Sequence, residues 1–507
     1  MTRRYQLACP GPARGPRLSR RSLVGAALGL AGGALLAACG APAAPTPTTA
    51  PAAQPTSAPA AKPAAAPTSA PAATTAPAAA AAPAATAAAT PAAKPAASKA
   101  PVSLRYLTTE EGDDTAAKLY DGVRAKFIAD HPNVSFSVER LPSLAESFVK
   151  FQTEAAAGIA PDVYTTVTWQ QQALILRDTV LRLDDMIKSE NFDLKDQTEH
   201  NDLQRTMLDD QGRVYGFNYE IAMPFAFYVP EMLDAAGLKA PSENWTTSDL
   251  KEMANKLTKR DGDKVTQWGW ANVYGAGWSL DSILMTNGSA KVADDRKTPQ
   301  FTSPATTEVV QFYQDLMWKD KVVPTASDRT ALQGATKSWM DGIWAGKVAM
   351  GFTQPVQLLT FRRYMKKDFV IAEMPTMKQK GTCLVGSGYT IAKSTKAPLE
   401  AFQHVAFLMS NPIRLEIVRV TGEIPTRRSA REEFFKNTGD LPPKNLNLVE
   451  KMLGYGKAES TQFVAGKSEA IYAITNQRMP QIWDEGKPIQ PVLEQVQQEV
   501  AKEIASS

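Results

Sequence analysis

The chain has 507 residues, 44% of them hydrophobic, enough for more than one core. Its formal charge is +4, but six Arg in residues 1–38 and three Lys in 41–100 face no acid there, so the rest of the chain is net −5 once those nine are taken away. That balance argues against a nucleic-acid-binding surface, three Cys exclude a disulfide-stapled scaffold, and three His leave little for a His-rich metal site.

Arg20 and Arg21 precede an apolar stretch from Leu23 to Ala38 that ends in Leu36-Ala37-Ala38-Cys39-Gly40. Sixteen residues rich in Gly and Ala are too short to span lipid comfortably, and basic residues, a short apolar run and a small-residue stop make an export signal over 1–38. The stop resembles a bacterial lipobox, which implies thioether lipidation of Cys39; Ser19-Arg20-Arg21 resembles a twin-arginine signal with Leu23 where Phe is usual. Acyl chains on Cys39 are expected to hold the protein to the outer face of the membrane. Residues 41–100 hold 31 Ala, 13 Pro and 9 Thr and lack Leu, Ile, Val, aromatics and acids, so they cannot repay the entropy of folding. Residues 39–100 are expected to be a lipidated Cys followed by a disordered tether. With Cys39 processed, Cys383 is the one thiol left, read as a small buried hydrophobe.

The folded part starts near Pro101. Val102–Leu107 alternates as a strand, Ala116–His131 reads as a helix with Leu119, Val123 and Phe127 on one side, and Val134–Glu139 alternates again, giving a βαβ unit. Leu144–Ala157 is a second helix, and Asp162-Val163-Tyr164 a short strand. Phe225–Val229 is strand-prone, Thr246 with Asp249 caps a helix to Leu257, and Ser303 caps one from Pro304 to Trp318. Asp328–Trp339 continues a helical pattern. Strands are expected at Lys347–Phe352, Phe369–Ala372 and Tyr389–Ala392. Leu399–Met409 is a helix, Asn411 caps the next, and Val492, Val496, Val500 and Ile504 mark an amphipathic last helix.

Four local patterns, Gly158-Ile159-Ala160-Pro161-Asp162-Val163, Gly212-Arg213-Val214-Tyr215-Gly216, Gly386-Ser387-Gly388-Tyr389-Thr390-Ile391 and Gly422-Glu423-Ile424-Pro425-Thr426-Arg427, stand in an order that resembles the extracellular solute-binding proteins of bacterial ABC transporters, family 1, of the sugar-binding lipoprotein type. The chain departs from that pattern at Tyr228-Val229, where the family often has Tyr-Asn. The resemblance implies an α/β, periplasmic-binding-protein-like type II fold with two lobes, a hinge and an interlobe cleft. It implies a monomer with no cofactor and no metal, whose partners are a carbohydrate and ABC permease subunits. Lobe one is expected at 101–215 plus about 347–410, lobe two at 216–346 plus about 411–507.

A sugar has apolar C–H faces and a rim of hydroxyls, so its site needs flat aromatic surfaces and paired polar groups. Trp268, Trp270, Tyr274 and Trp278 cluster among Gly269, Gly275 and Gly277, which favour a loop, and Trp270 or Trp278 is expected to stack on ligand, with Asp281 nearby. Trp169 follows a strand end, where α/β crevices open. Tyr219 and Glu220 follow the Gly216 turn, Phe352 and Gln354 end another strand, and Gly386, Ser387 and Gly388 offer backbone N–H groups close to a ligand. Arg427 is a further candidate. For each aromatic the competing reading is core packing, and for each charge a solvated surface. A secreted carbohydrate-active enzyme with paired carboxylates, or a surface sensor or adhesin, are the other functional readings, but there is no Gly-x-Ser-x-Gly, His-Glu-x-x-His or P-loop to support catalysis.

Overall fold

The computed structural model describes residues 100–109, 114–198, 202–272, 275–334, 338–437, 443–464 and 466–506. The segments expected to be an export signal and a tether, up to residue 99 and including Cys39, lie outside the described residues, as does Tyr274.

The alternating segment at the start becomes β1 (Val102–Thr108), followed by α1 (Asp114–Asp130), β2 (Val134–Arg140), α2 (Leu144–Ala156), β3 (Val163–Val167) and α3 (Thr168–Leu176). β1 pairs in parallel with both β2 and β3, which requires the helices to cross over the sheet faces. α1 buries Tyr120, Val123 and Phe127 on one face, and Phe148 and Phe151 of α2 bury on the other with Leu107 and Tyr164. β4 (Gly216–Asn218) closes this sheet, whose order is β2-β1-β3-β12-β4 once β12 (Ser387–Ile391) returns antiparallel to β3 and β4.

Beyond β4 the chain leaves through β5 (Glu220–Ile221) for a second sheet, made of β6 (Phe225–Tyr228), β7 (Lys259–Asp261), β8 (Lys264–Asn272), β9 (Val348–Thr353) and β10 (Val370–Ala372) in the order β10-β6-β9-β8-β7. It returns through β11 (Cys383–Leu384) to β12. β13 (Ile424–Pro425) pairs with β5, Ala222 and Val385 exchange both backbone hydrogen bonds at 2.7 and 2.9 Å, and β14 (Lys457–Ala458) pairs with β11. Three chain segments thus run side by side between two sheets. The result is an α/β protein of two lobes joined at a hinge.

Several expectations need correction. The Trp268–Trp270 segment is a strand, not a loop. Gly269 is there because a Cβ would fall 1.9 Å from the carbonyl oxygen of Ala254, so close does the helix Thr247–Leu257 lie on β8. The strands at 348–353 and 370–372, read as lobe one, pair in the second sheet. The helix Asn411–Thr421, read as lobe two, buries Ile413 and Ile417 against the first sheet with Phe402 and Val405. The helix after Thr325 ends at Ala331, short of Trp339, and the one from Pro304 is α-helical only to Gln314 before widening into a π-turn at Asp315–Lys319. Ser410, not Asn411, occupies the cap position; the Asn411 side chain instead donates to Ser429 Oγ at 2.7 Å. The last helix, Ile489–Ala505, buries Val492, Val496 and Val500 in the core of the second lobe as its four-residue spacing predicts.

Candidate functional site

A cavity of about 510 Å³ opens between the two sheets. Val167 at the end of β3, Trp169 in the first turn of α3, Glu220 of the hinge strand, and Gly386 and Ser387 at the start of β12 line it from one side. Asn272 at the end of β8, Gln354 just past β9, Lys291 and Arg329 line it from the other. The helices Ser468–Arg478 and Pro480–Trp483 contribute Tyr472 and Trp483, Met479 lies at the turn between them, and Asp484 follows. Strand ends are where an α/β sheet leaves side chains free to face a ligand, because the next helix turns away.

The aromatic wall is built from both ends of the chain. Trp169 stacks on Tyr472 with ring centroids 5.6 Å apart and planes within 9°. Trp483 is buried at the cavity edge, its carbonyl accepting a 3.0 Å hydrogen bond from Trp318 Nε1, while its own Nε1–H has no partner among the described residues. Such a donor is costly to leave unpaired.

The polar groups are arranged with equal care for charge. The Ser387 hydroxyl donates to Glu220 Oε1 at 2.6 Å. Glu220 is half-buried, its exposed edge facing the cavity; burial and the neighbouring Glu423 push its carboxyl up to about 7, against the pull of Ser387 and Arg414. Arg414 is fully buried, pairs with Glu423 at 2.8 Å, and lies 4.7 Å over the Tyr219 ring. Across the cavity Lys291 donates to Asp281 at 2.7 Å and to Glu459 at 3.2 Å, all three buried. Burial works to lower the Lys291 ammonium, but the two carboxylates override it and hold it above its ordinary value. Burial and then Glu459 raise Asp281 to about 7, with Lys291 opposing. Arg329 pairs with Asp484 at 2.8 Å, and Trp270 Nε1 donates to Asn272 Oδ1 at 3.0 Å, which fixes the side-chain amide at the cavity wall.

Of the residues singled out in the sequence, Trp169, Glu220, Gln354, Gly386 and Ser387 meet at this cavity. Trp270 and Phe352 do not: they pack edge to face in the core of the second lobe, centroids 4.7 Å apart. β8 and β9 are buried strands covered by helices, so their inward side chains serve the core. Tyr219 is fully buried and stacked on Tyr389 at 4.5 Å. Gly388 sits within the first sheet, where a Cβ would meet Met207 at 2.4 Å. Asp281 reaches the cavity only through Lys291. Arg427 is spent on Asp196 at 2.9 Å and lies 5.5 Å over Phe192. Trp278 belongs to the helix Gly275–Thr286, and its side chain, like Tyr274, is outside the described residues. Sequence reasoning missed Tyr472, Trp483, Lys291, Arg329 and Asn272. An aromatic shortly after Pro480 was the one local signal for Trp483; nothing local says that the C-terminal helices return to the cleft.

Residues 122–443 match the family described as bacterial extracellular solute-binding protein. Among solved structures, the ABC substrate-binding protein Lmo0181 from Listeria monocytogenes, in complex with cycloalternan, superposes with a TM-score of 0.68 at 19% identity, covering 80% of this chain and 100% of the other. The GacH receptor of Streptomyces glaucescens GLA.O, solved unliganded and with acarbose, gives 0.64 at 16% identity over 80% and 98% of the two chains. UgpB from Mycobacterium tuberculosis, in complex with glycerophosphocholine, gives 0.65 at 18% identity over 80% and 98%. At these identities the likeness is one of fold.

Proposed function

Because the chain belongs to the family of bacterial extracellular solute-binding proteins, we propose that it captures a sugar or oligosaccharide between its lobes and delivers it unaltered to the permease subunits of an ABC importer. The observation that carries the carbohydrate reading is the cavity lining. A stacked Trp169–Tyr472 pair and Trp483 offer apolar ring surface, while Glu220, Ser387, Asn272 and Gln354 offer hydrogen-bond partners around it. Its two cations are already matched by carboxylates, Arg329 by Asp484 and Lys291 by Asp281 and Glu459, which disfavours a phosphate or sulfate. Cycloalternan and acarbose in the solved relatives support the same class of ligand. The lobes divide most naturally as 101–218 with 387–421, and 225–372 with the C-terminal helices, on the evidence of strand pairing. Closure about the β5, β11 and β13 segments would bury the solute. In this reading Cys39 carries the lipid anchor, the Ala/Pro/Thr-rich segment is the tether, and one chain acts alone at the outer face of the membrane. No step requires bond cleavage.

Isothermal titration of the purified protein with a panel of mono- and oligosaccharides, polyamines and phosphodiesters tests it, with the ligand recovered and analysed afterwards. Saturable binding of a saccharide recovered intact is the expected result. Hydrolysis of the saccharide, or binding confined to non-sugars, refutes it.

A further inference from the structure

Two charge clusters of the same balance border the cavity, each with two carboxylates for one base. In one, Arg414 pairs with Glu423 at 2.8 Å, and Glu220 stands beside them with one oxygen taken by Ser387 and no ion-pair partner among the described residues. In the other, Lys291 is shared between Asp281 and Glu459. The first cluster opens on the cavity through Glu220, the second through Lys291. The remaining charged pair of the wall, Arg329 with Asp484, is balanced. With every group ionised, the cavity is surrounded by an excess of two negative charges.

That excess matters most when the lobes close and water leaves. A buried carboxylate without a counter-charge is costly, and a neutral hydroxyl supplies a hydrogen bond but no charge. A protonated amine supplies both, and the aromatic wall is compatible with a cation against a ring face. We infer that the solute is a carbohydrate bearing a basic nitrogen, and that Glu220 is the residue that selects it. This rests on the carbohydrate reading above and narrows it. The same surroundings hold the Glu220 and Asp281 carboxyls up at about 7, so in the empty cleft a proton takes the place of the amine.

The test is calorimetric titration of the whole protein at pH 6.5 with di- and trisaccharides of glucosamine and galactosamine, set against their N-acetylated and hydroxyl counterparts. The free-amine forms are expected to bind at least about tenfold more tightly, a difference of about 1.4 kcal/mol. The preference is expected to shrink below about threefold in Glu220→Gln, whose folding is checked by its thermal melt. In the wild-type protein it is expected to vanish at pH 10, about two units above an amine pKa of about 8. Equal or tighter binding of the neutral counterparts overturns the inference and leaves carbohydrate capture standing. A preference that persists at pH 10, or undiminished in Glu220→Gln, overturns the assignment to Glu220. If no saccharide of any kind binds the folded protein, the carbohydrate reading falls and this inference with it.

Discussion

Replacing Lys291 by Met keeps nearly all of the side-chain volume and removes the charge between two buried carboxylates. The ammonium lies 2.7 Å from Asp281 and 3.2 Å from Glu459, and all three side chains are 10% exposed or less. Breaking a buried ion pair from one side costs about 3–5 kcal/mol, because the remaining charge has neither water nor partner. Here two acids are stranded, so the upper part of that range is expected at pH 8. The effect carries a pH signature whose sign follows from linkage. Asp281 already sits near 7 with Lys291 present, and loss of the cation pushes it higher. Between those two values the folded variant holds a proton that the folded wild type lacks. Its stability relative to wild type therefore rises as pH falls from about 9 towards 7, by up to about 1.4 kcal/mol per unit, and levels off below that, where both proteins hold the proton. Urea denaturation at several pH values measures this, and Lys291→Met with Asp281→Asn is expected to recover part of the loss. A deficit under about 1 kcal/mol, or one that is flat from pH 6 to 9, would refute the account of the cluster as a strained, charge-excess site.

Other outcomes follow from the same geometry. Trp169→Ala removes half of the stacked pair at the cavity and is expected to weaken solute binding by about 10- to 100-fold, read by titration, with the thermal melt showing the fold retained. His404 is fully buried among Tyr106, Phe127 and Phe136, and burial, with Arg124 and His131 nearby, lowers its pKa to about 3. The unfolded chain takes up that proton near 6.5 and the folded one does not, so wild type is expected to lose up to about 1.4 kcal/mol per pH unit relative to His404→Leu as pH falls from about 6 to 4. Parallel urea curves at pH 6, 5 and 4 check this; a constant difference between the two proteins is the contrary result. Cys39→Ser is expected to move the protein from the membrane pellet to the soluble fraction of fractionated cells, and continued sedimentation with membranes argues against lipidation there.

Elements held by local chemistry were legible without coordinates. The alternation of Val102–Leu107, the Thr246–Asp249 capping box and the four-residue spacing of Val492, Val496 and Val500 each specify one local answer, and all three are found. The two-lobed α/β fold was reached from the order of four Gly-containing patterns. Trp270 was misread because a tryptophan in a Gly-rich run looks the same whether it faces a cleft or a core. The direction is decided by the helix Thr247–Leu257, which lies against β8 so tightly that Gly269 cannot carry a Cβ. Half of the cavity wall was invisible for a related reason. Tyr472 and Trp483 are some 300 residues from Trp169, and only the third crossing, through β13, brings their helices back to the cleft.

The sequence by itself determined what short-range chemistry can encode: most of the run of strands and helices from Val102 onwards, with the caps and amphipathic spacings that set them. Tertiary structure decided which strands share a sheet, which aromatic rings face the cavity, and which charges lack a partner among the described residues. Those are properties of groups far apart along the chain, and a residue's pattern of neighbours in sequence carries no record of what burial will place beside it.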